Sequence, residues 1–251
     1  MKSILLFSLV FSGLVLKAAV WTAPIFVKGV GNRAMAVVKE DNRLYVAVGS
    51  VLSVWDISSP HEPRKLGELG GFDNARQVAV QDKMAYVVSR ETGLRIVDCH
   101  DPHQLRIRSR FDTVEFATGI EVVGKVAFVS ERIYGVECVD VSNPDRPEHI
   151  CLRKTFESQS CRYVDGYLYS GEWGDGTVSI FDAHDLRNFQ KLGTVDLHGY
   201  GDGLTVDGDI LYCSTGHDAM HRPGLTRKDA VGLGRGLDIF SIRDRAHPQH
   251  L

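Results

Sequence analysis

The chain has 251 residues, of which 43% are hydrophobic and 24% are charged, and its formal net charge at pH 7 is −3. This composition is typical of a folded globular protein and excludes a disordered chain. The lysines and arginines are scattered along the sequence, so there is no basic stripe of the kind that binds nucleic acid, and no nucleic-acid partner is expected.

The first predicted element is a secretory signal peptide over residues 1–18. Lys2 gives a short basic start, residues 4–16 form an apolar run, and Ala18 and Ala19 supply the small residues of a cleavage site. The apolar run is too short to span a bilayer, so no transmembrane segment is expected in the mature chain. The sequence therefore predicts an exported protein that is periplasmic, cell-surface or extracellular.

A repeat with a period of about 42 residues occupies the rest of the chain. Each copy contains a short alternating run that ends at Asp56, Asp98, Asp140 and Asp182, and a fifth copy ends at Ser241 after an insertion. A fixed period of this size is typical of a β-propeller, in which each repeat forms one blade. We expect the repeated aspartate to have a structural role, because its carboxylate can accept hydrogen bonds from backbone N–H groups of the following turn.

Each repeat carries the signals of four short strands. The second strand is centred on an aromatic residue such as Tyr45 or Phe128, and the fourth begins after a proline, as at Pro63 and Pro147. Four strands in about 42 residues predict an all-β fold, a β-propeller of four-stranded blades. The predicted repeats cover residues 31–69, 73–112, 115–155, 158–198 and 200–251.

The two ends of the repeat array leave the blade number open. Residues 24–30 have the pattern of a fourth strand, and they would complete the last blade and seal a closed ring of five blades. Alternatively, the five repeats are part of a larger propeller, because the sequence stops where the fifth repeat would begin its fourth strand. The chain is expected to be a monomer.

The five cysteines predict neither a disulfide framework nor a zinc site. Their number is odd, and Cys138, Cys161 and Cys213 lie in strands where other repeats carry aliphatic residues, so we expect them in the core. Cys99 and Cys151 remain as the two candidates for a bridge.

The repeat resembles that of the LVIVD-repeat family of exported bacterial β-propellers. The best match is residues 85–87 followed by residues 93–98, and residues 139–147 supply a turn that contains two prolines. The resemblance extends over residues 24–251. It implies the propeller fold, but it implies no reaction, cofactor or catalytic residue.

The loops that enter the innermost strands are the first candidate site, because they surround the mouth of the central channel. Arg33, Arg76 and Asp202 lie in these loops and are candidate ligand-binding residues. Asp73, Glu115 and Asp202 are candidate catalytic carboxylates, since a glycosidase needs two carboxylates at a set separation. The alternative is a channel lined by polar residues without catalysis.

The insertion in the fifth repeat is the second candidate site, because long loops on a rigid scaffold often carry function. It contains His217, His221 and Arg222. The two histidines would suit a metal ion on a helical turn, but a glycine and a proline flank them, so neither a metal nor another cofactor is predicted. Trp173, in a glycine-rich turn of the fourth repeat, is expected either to stack on a ligand or to pack between blades.

Together these features predict an exported binding module that presents its loops to a protein or a glycan. The alternative function is a hydrolase, similar to a glycosidase or an esterase, with its carboxylates at the channel mouth. Of the two, the sequence favours the module without enzymatic activity.

Overall fold

The computed structural model describes residues 34–215 and 236–251. Over these residues, twenty strands form five four-stranded sheets, and none of the described residues forms a helix that is long and apolar enough to cross a membrane. The predicted signal peptide, the predicted strand at 24–30 and the insertion over 216–235 lie outside the described residues.

The five sheets are the blades predicted from the repeat. Blade 1 contains β1 (Ala36–Glu40), β2 (Arg43–Val48), β3 (Val51–Asp56) and β4 (Arg64–Gly70). Blade 2 contains β5 (Ala75–Gln81), β6 (Met84–Ser89), β7 (Gly93–Asp98) and β8 (Arg106–Phe111). Blade 3 contains β9 (Ala117–Val123), β10 (Val126–Glu131), β11 (Gly135–Asp140) and β12 (Glu148–Arg153).

The last two blades follow the same order. Blade 4 contains β13 (Ser158–Val164), β14 (Tyr167–Glu172), β15 (Thr177–Asp182) and β16 (Gln190–Asp196). Blade 5 contains β17 (Gly201–Asp207), β18 (Ile210–Thr215), β19 (Gly236–Ser241) and β20 (Gln249–His250). In every blade, strands that are adjacent in sequence pair antiparallel, which confirms the predicted all-β propeller of four-stranded blades.

The repeated aspartate closes the turn after the third strand of a blade, as predicted. The Oδ1 atom of Asp56 accepts the backbone N–H of Ser58 at 2.9 Å, and Asp140 accepts that of Ser142 at 2.8 Å. Asp98 and Asp182 make the equivalent bond to the residue two positions on, at 3.1 Å in both cases. The carboxylate therefore replaces a backbone acceptor in the turn.

The hydrophobic core lies between the blades. Tyr45 and Leu52 of blade 1 are fully buried against Val87 of blade 2 and Phe72 of the loop between the two blades. Each further pair of neighbouring blades encloses a similar cluster. Because side chains alternate between the two faces of a strand, one blade contributes apolar groups to both of its neighbours.

A second repeated contact joins the fourth strand of one blade to a turn of the next. The fourth strand contributes a small residue to this contact, and these residues recur every 42 positions, as Gly67, Ser109, Cys151 and Gly193. Ser109 donates its hydroxyl to the carbonyl of Pro144 at 2.7 Å, and Cys151 donates its thiol to that of Leu186 at 2.8 Å. Where the residue is glycine, the next turn lies so close that no space remains for a side chain.

The innermost strands follow one another around the channel, since β1 packs beside β5, β5 beside β9, β9 beside β13, and β13 beside β17. No comparable packing joins β17 to β1 among the described residues. In blade 5, β20 pairs with β19 through only two residues, His250 opposite Phe240 and Gln249 opposite Ser241.

All five cysteines have free thiols in the structure. Cys138, Cys161 and Cys213 are buried in strands, as predicted. Cys99 is also buried, and Cys151 lies opposite Cys138 across the β11–β12 pair. Cys99 and Cys151 belong to different blades, so the structure does not join the two residues that remained as candidates for a bridge.

Candidate functional site

A cavity of about 570 Å³ lies between the innermost strands, and all five blades contribute to its wall. The wall is mixed in character, with apolar residues of β1 and a polar set from the other four blades. The polar residues are Arg76, Gln77, Thr118, Glu121, Gln159, Ser160, Arg162 and Asp202. Concave sites with a few convergent polar groups are where proteins usually bind small ligands.

Side-chain hydrogen bonds tie the innermost strands of adjacent blades together. Gln77 on β5 accepts the backbone N–H of Ile120 on β9 at 2.8 Å. Thr118 on β9 donates its hydroxyl to the carbonyl of Ser158 on β13 at 2.8 Å. The wall of the cavity is therefore cross-linked between blades, which holds its polar groups in place.

An ion pair between blades 3 and 4 forms part of this wall. The guanidinium of Arg162 donates to Glu121 at 2.6 Å, and the same nitrogen donates to the carbonyl of Cys161 at 3.2 Å. Burial raises the pKa of Glu121, although the charge and the hydrogen bond of Arg162 oppose this shift. The pair contributes no net charge to the cavity when both groups are ionised.

Arg76 differs from Arg162 because its charge has no carboxylate partner among the described residues. In the part of the chain that the structure describes, its Nε–H is buried without an acceptor, and the hydroxyl of Ser160 in the same cavity is also buried without a partner. Burial and the nearby positive charge of Arg90 lower the pKa of Arg76. Buried donors of this kind are normally satisfied by water or a ligand.

The structure brings only some of the predicted site residues together. Arg76 and Asp202 line the central cavity. Asp73 instead lies 3.5 Å from the buried guanidinium of Arg95, and Glu115 lines a separate cavity of about 220 Å³ together with Arg90. The three candidate carboxylates therefore do not share one cavity.

Trp173 stacks on Tyr200, with ring centroids 4.6 Å apart and an angle of 22° between the planes. Tyr200 immediately precedes β17, so the contact joins blade 4 to the entry of blade 5. Of the two roles expected for Trp173, this contact corresponds to packing between blades. The remaining candidates, Arg33, His217, His221 and Arg222, lie outside the described residues.

Three polar residues of the wall lie outside the predicted entry loops: Gln77, Glu121 and Arg162. Each of the three lies in the first strand of its blade, further along the strand than the residues of the predicted entry loop. The available signal was a charged or amide side chain inside an otherwise apolar strand run, which is unusual even for a partly buried position.

A second polar cluster lies within blade 3. Glu131 and Glu137 are buried side by side, and both accept the backbone N–H of Val114, at 3.2 Å and 3.3 Å. The other oxygen of Glu137 lies 2.7 Å from Nδ1 of His149. No sequence pattern predicts this cluster, because its members come from three different strands and the loop before β9.

Burial raises the pKa of Glu131 to about 9, and the hydrogen bond and negative charge of Glu137 act in the same direction. The carboxyl of Glu131 therefore keeps its proton at neutral pH. Its Oε2 atom finds no donor in the structure, and a proton on that atom would satisfy it by bonding to Glu137.

Comparison with known proteins identifies the repeat and the fold. The LVIVD repeat matches residues 73–113 and 116–150, which correspond to blades 2 and 3. A search of curated proteins finds no match.

Several solved structures share the fold at low sequence identity. A putative 6-phosphogluconolactonase from Bacteroides uniformis is 14% identical, with a TM-score of 0.67 over 89% of this chain and 72% of that one. Sqt1 from Saccharomyces cerevisiae is 10% identical, with a TM-score of 0.61 over 87% and 61%.

The computationally designed Ika8 protein is 13% identical, with a TM-score of 0.58, and the match covers 84% of this chain. The chain spans about 60% of the length of Ika8. At these identities the likeness to solved structures shows the fold alone. The chain is a β-propeller that carries LVIVD repeats in blades 2 and 3.

Proposed function

We propose that this propeller is an exported binding module whose ligand site is the central cavity. The observation that carries the proposal is the pair of unsatisfied buried donors, the Nε–H of Arg76 and the hydroxyl of Ser160, in the wall of a cavity of about 570 Å³. Leaving a buried donor unpaired costs about 1–3 kcal/mol, so a ligand that accepts these bonds gains that energy on binding.

The wall favours an oxygen-rich ligand of glycan type. Arg76 offers a charged donor without a carboxylate partner within residues 34–215 and 236–251, while the amides of Gln77 and Gln159 offer both donors and acceptors. A carboxylate or a row of hydroxyl groups on a sugar matches this set. The apolar residues of β1 would contact the less polar face of the same ring.

Binding of the purified mature chain to an array of neutral and acidic glycans tests this proposal. We expect at least one class of glycan to bind. We expect Arg76→Gln to weaken that binding at least about tenfold, which corresponds to about 1.4 kcal/mol of binding free energy. Arg110→Gln, on the outer strand of blade 2, is the control and should bind like the wild type. Absence of binding, or equal binding by both variants, would reject the cavity as a glycan site.

The alternative function, a hydrolase, has one observation in its favour. Asp202 and Glu121 are two carboxylates in the wall of the same cavity, and burial raises the pKa of Glu121 in the direction that a general acid needs. The likeness to a putative lactonase adds esters of the lactone class to the substrates worth testing. Turnover of a glycoside, ester and lactone panel that disappears in Asp202→Asn would support the hydrolase; turnover unchanged in that variant would reject this site.

Export is proposed from the N-terminal residues alone. Expression of the full chain with its own leader, followed by mass spectrometry of the mature N-terminus, tests it. Cleavage near Ala18 and Ala19 supports export, whereas an intact Met1 in the cytoplasmic fraction contradicts it.

A further inference from the structure

Three side chains with metal-binding atoms converge where blade 4 meets blade 5. His198 lies in the loop after β16, Asp238 lies on β19, and His250 lies on β20. Oδ1 of Asp238 is 2.8 Å from Nδ1 of His198 and 3.5 Å from Nε2 of His250. One atom from each residue lies within 4.8 Å of the other two.

These separations suit a single small cation. Zn²⁺ binds imidazole nitrogen and carboxylate oxygen at about 2.0–2.2 Å, so donors around one ion lie about 3–3.5 Å apart. The cluster therefore needs only small side-chain shifts to close around an ion. A donor set of two imidazoles and one carboxylate favours first-row transition ions over Ca²⁺ and Mg²⁺.

The carboxylate is already oriented for this role. The second oxygen of Asp238 accepts the backbone N–H of His198 at 2.8 Å, which leaves Oδ1 directed at the two imidazoles. The ring of His250 packs edge-on against Phe240, with centroids 4.9 Å apart. Contacts of this kind around the ligands fix the geometry of metal sites.

Blade 3 contains the same arrangement without the third ligand. Glu137 and His149 occupy the repeat positions of Asp238 and His250, because His149 lies opposite Val139 as His250 lies opposite Phe240. The loop residue that donates its backbone N–H to the carboxylate is Val114 in blade 3, where blade 5 has His198. Within residues 34–215 and 236–251, only the blade 5 cluster brings three such ligands together.

We propose that His198, Asp238 and His250 bind a divalent transition-metal ion of the zinc class. The ion would fasten β20, which pairs with β19 through only two residues, to the loop that leaves blade 4. The side chains of His198 and His250 are 61% and 45% exposed, so the fourth coordination position faces solvent. Such a position accepts water or a donor atom of a ligand.

Titration of the metal-free full chain with Zn²⁺, followed by calorimetry, tests the proposal, and the absorption spectrum of the Co²⁺ form reports the coordination geometry. We expect one ion per chain at this site, with tetrahedral Co²⁺ bands. His198→Ala and His250→Ala should each weaken binding at least about tenfold. Both side chains are exposed, so we expect the variants to fold, and circular dichroism checks this.

Two control variants separate this site from others. His149→Ala removes the equivalent histidine of blade 3 and should leave the affinity unchanged, as should the double variant His217→Ala and His221→Ala. Failure to bind Zn²⁺, or an affinity that survives His198→Ala and His250→Ala, overturns the proposal. Loss of binding only in the double variant would overturn it as well, because the ion would then belong to the insertion.

Discussion

The side chain of Glu131 is buried, and burial disfavours the ionised form of its carboxyl group. The unfolded chain releases this proton near the ordinary value of 4.5, whereas the folded protein holds it until a pKa of about 9. Between these two values the folded state binds more protons than the unfolded state, so the free energy of unfolding falls as the pH rises. Below about pH 4.5 and above about pH 9 this contribution no longer changes.

Replacing the acid by its neutral analogue should remove this pH dependence. Between pH 5 and pH 9, we expect the free energy of unfolding of Glu131→Gln to fall by at least about 1 kcal/mol less than that of the wild type. A difference of about 1 kcal/mol corresponds to less than one pKa unit. Urea denaturation at several pH values measures it. The exposed Glu148→Gln is the control, and a profile for Glu131→Gln that parallels the wild type would contradict the argument.

Asp98 and Asp182 occupy the same repeat position but differ in their partners. Asp98 is 8% exposed, and it accepts two bonds from Arg106, at 2.8 Å and 3.2 Å, besides the bond that closes its turn. Among the described residues, Asp182 bonds only to the backbone and ring of His184. The hydrogen bonds of Arg106 make the largest contribution to lowering the pKa of Asp98.

We therefore expect Asp98→Ala to cost more than Asp182→Ala. Loss of charged hydrogen bonds at a buried site costs about 1.5–3 kcal/mol, whereas loss of an exposed turn bond costs about 0.5–1.5 kcal/mol. Urea unfolding at pH 7 gives both values. Because the folded-state pKa of Asp98 is lowered, its contribution to stability should disappear as the pH falls below the usual aspartate range. Equal losses of unfolding free energy in the two variants would show that the bonds from Arg106 do not stabilise the fold.

At the scale of elements, the contact between the fourth strand and the next turn sets how closely blades approach. A Cβ atom on Gly67 of β4 would overlap the carbonyl oxygen of Pro102, which is main chain and has little freedom to move. On the same strand, a Cβ atom on Gly70 would have no atom within 4 Å. Neither glycine has a positive φ, so the main difference between them is the space available for a side chain.

Gly67→Ala should destabilise the protein by about 1–3 kcal/mol, the usual cost of overpacking, because blade 2 must move away from blade 1. Gly70→Ala is the matched control and should change stability by less than about 0.5 kcal/mol. The comparison is made by thermal and urea unfolding. If Gly67→Ala does not change stability, the turn at Pro102 moves at little cost to make room for the added methyl group.

For the whole molecule, the blades differ in how many neighbours support them. All twelve residues of β6 and β7 are buried, whereas both residues of β20 are exposed and β1 alternates between partly buried and exposed residues. Among the described residues, blades 2, 3 and 4 pack against two blades, while blades 1 and 5 each pack against one. In repeat proteins, such differences produce local differences in stability.

We expect hydrogen exchange to follow this order. Amides of β6, β7, β10 and β11 should exchange at least about 100-fold more slowly than those of β1 and β20, because local opening of an end blade exposes less apolar surface. Exchange measured by mass spectrometry on the full chain tests this. Uniform protection across all five blades would indicate that the end blades are supported as well as the central ones.

The sequence by itself determined the blades. A strand requires only local alternation, and a turn requires only local residues such as Asp56 and Ser58, so four strands per repeat and the role of the aspartate are visible in the residues alone. The buried state of Cys138 and Cys161 followed from comparison between repeats. These properties depend on contacts within about ten residues or on the period itself.

The tertiary structure alone decided which polar side chains meet. Arg76 and Asp202 share a cavity with Glu121 and Arg162, while Glu115 lies elsewhere, because the packing of one blade on the next determines which side chains come close. The cluster of His198, Asp238 and His250 joins residues up to 52 positions apart. No local pattern records such contacts, since they depend on the angle and distance at which one blade packs on the next.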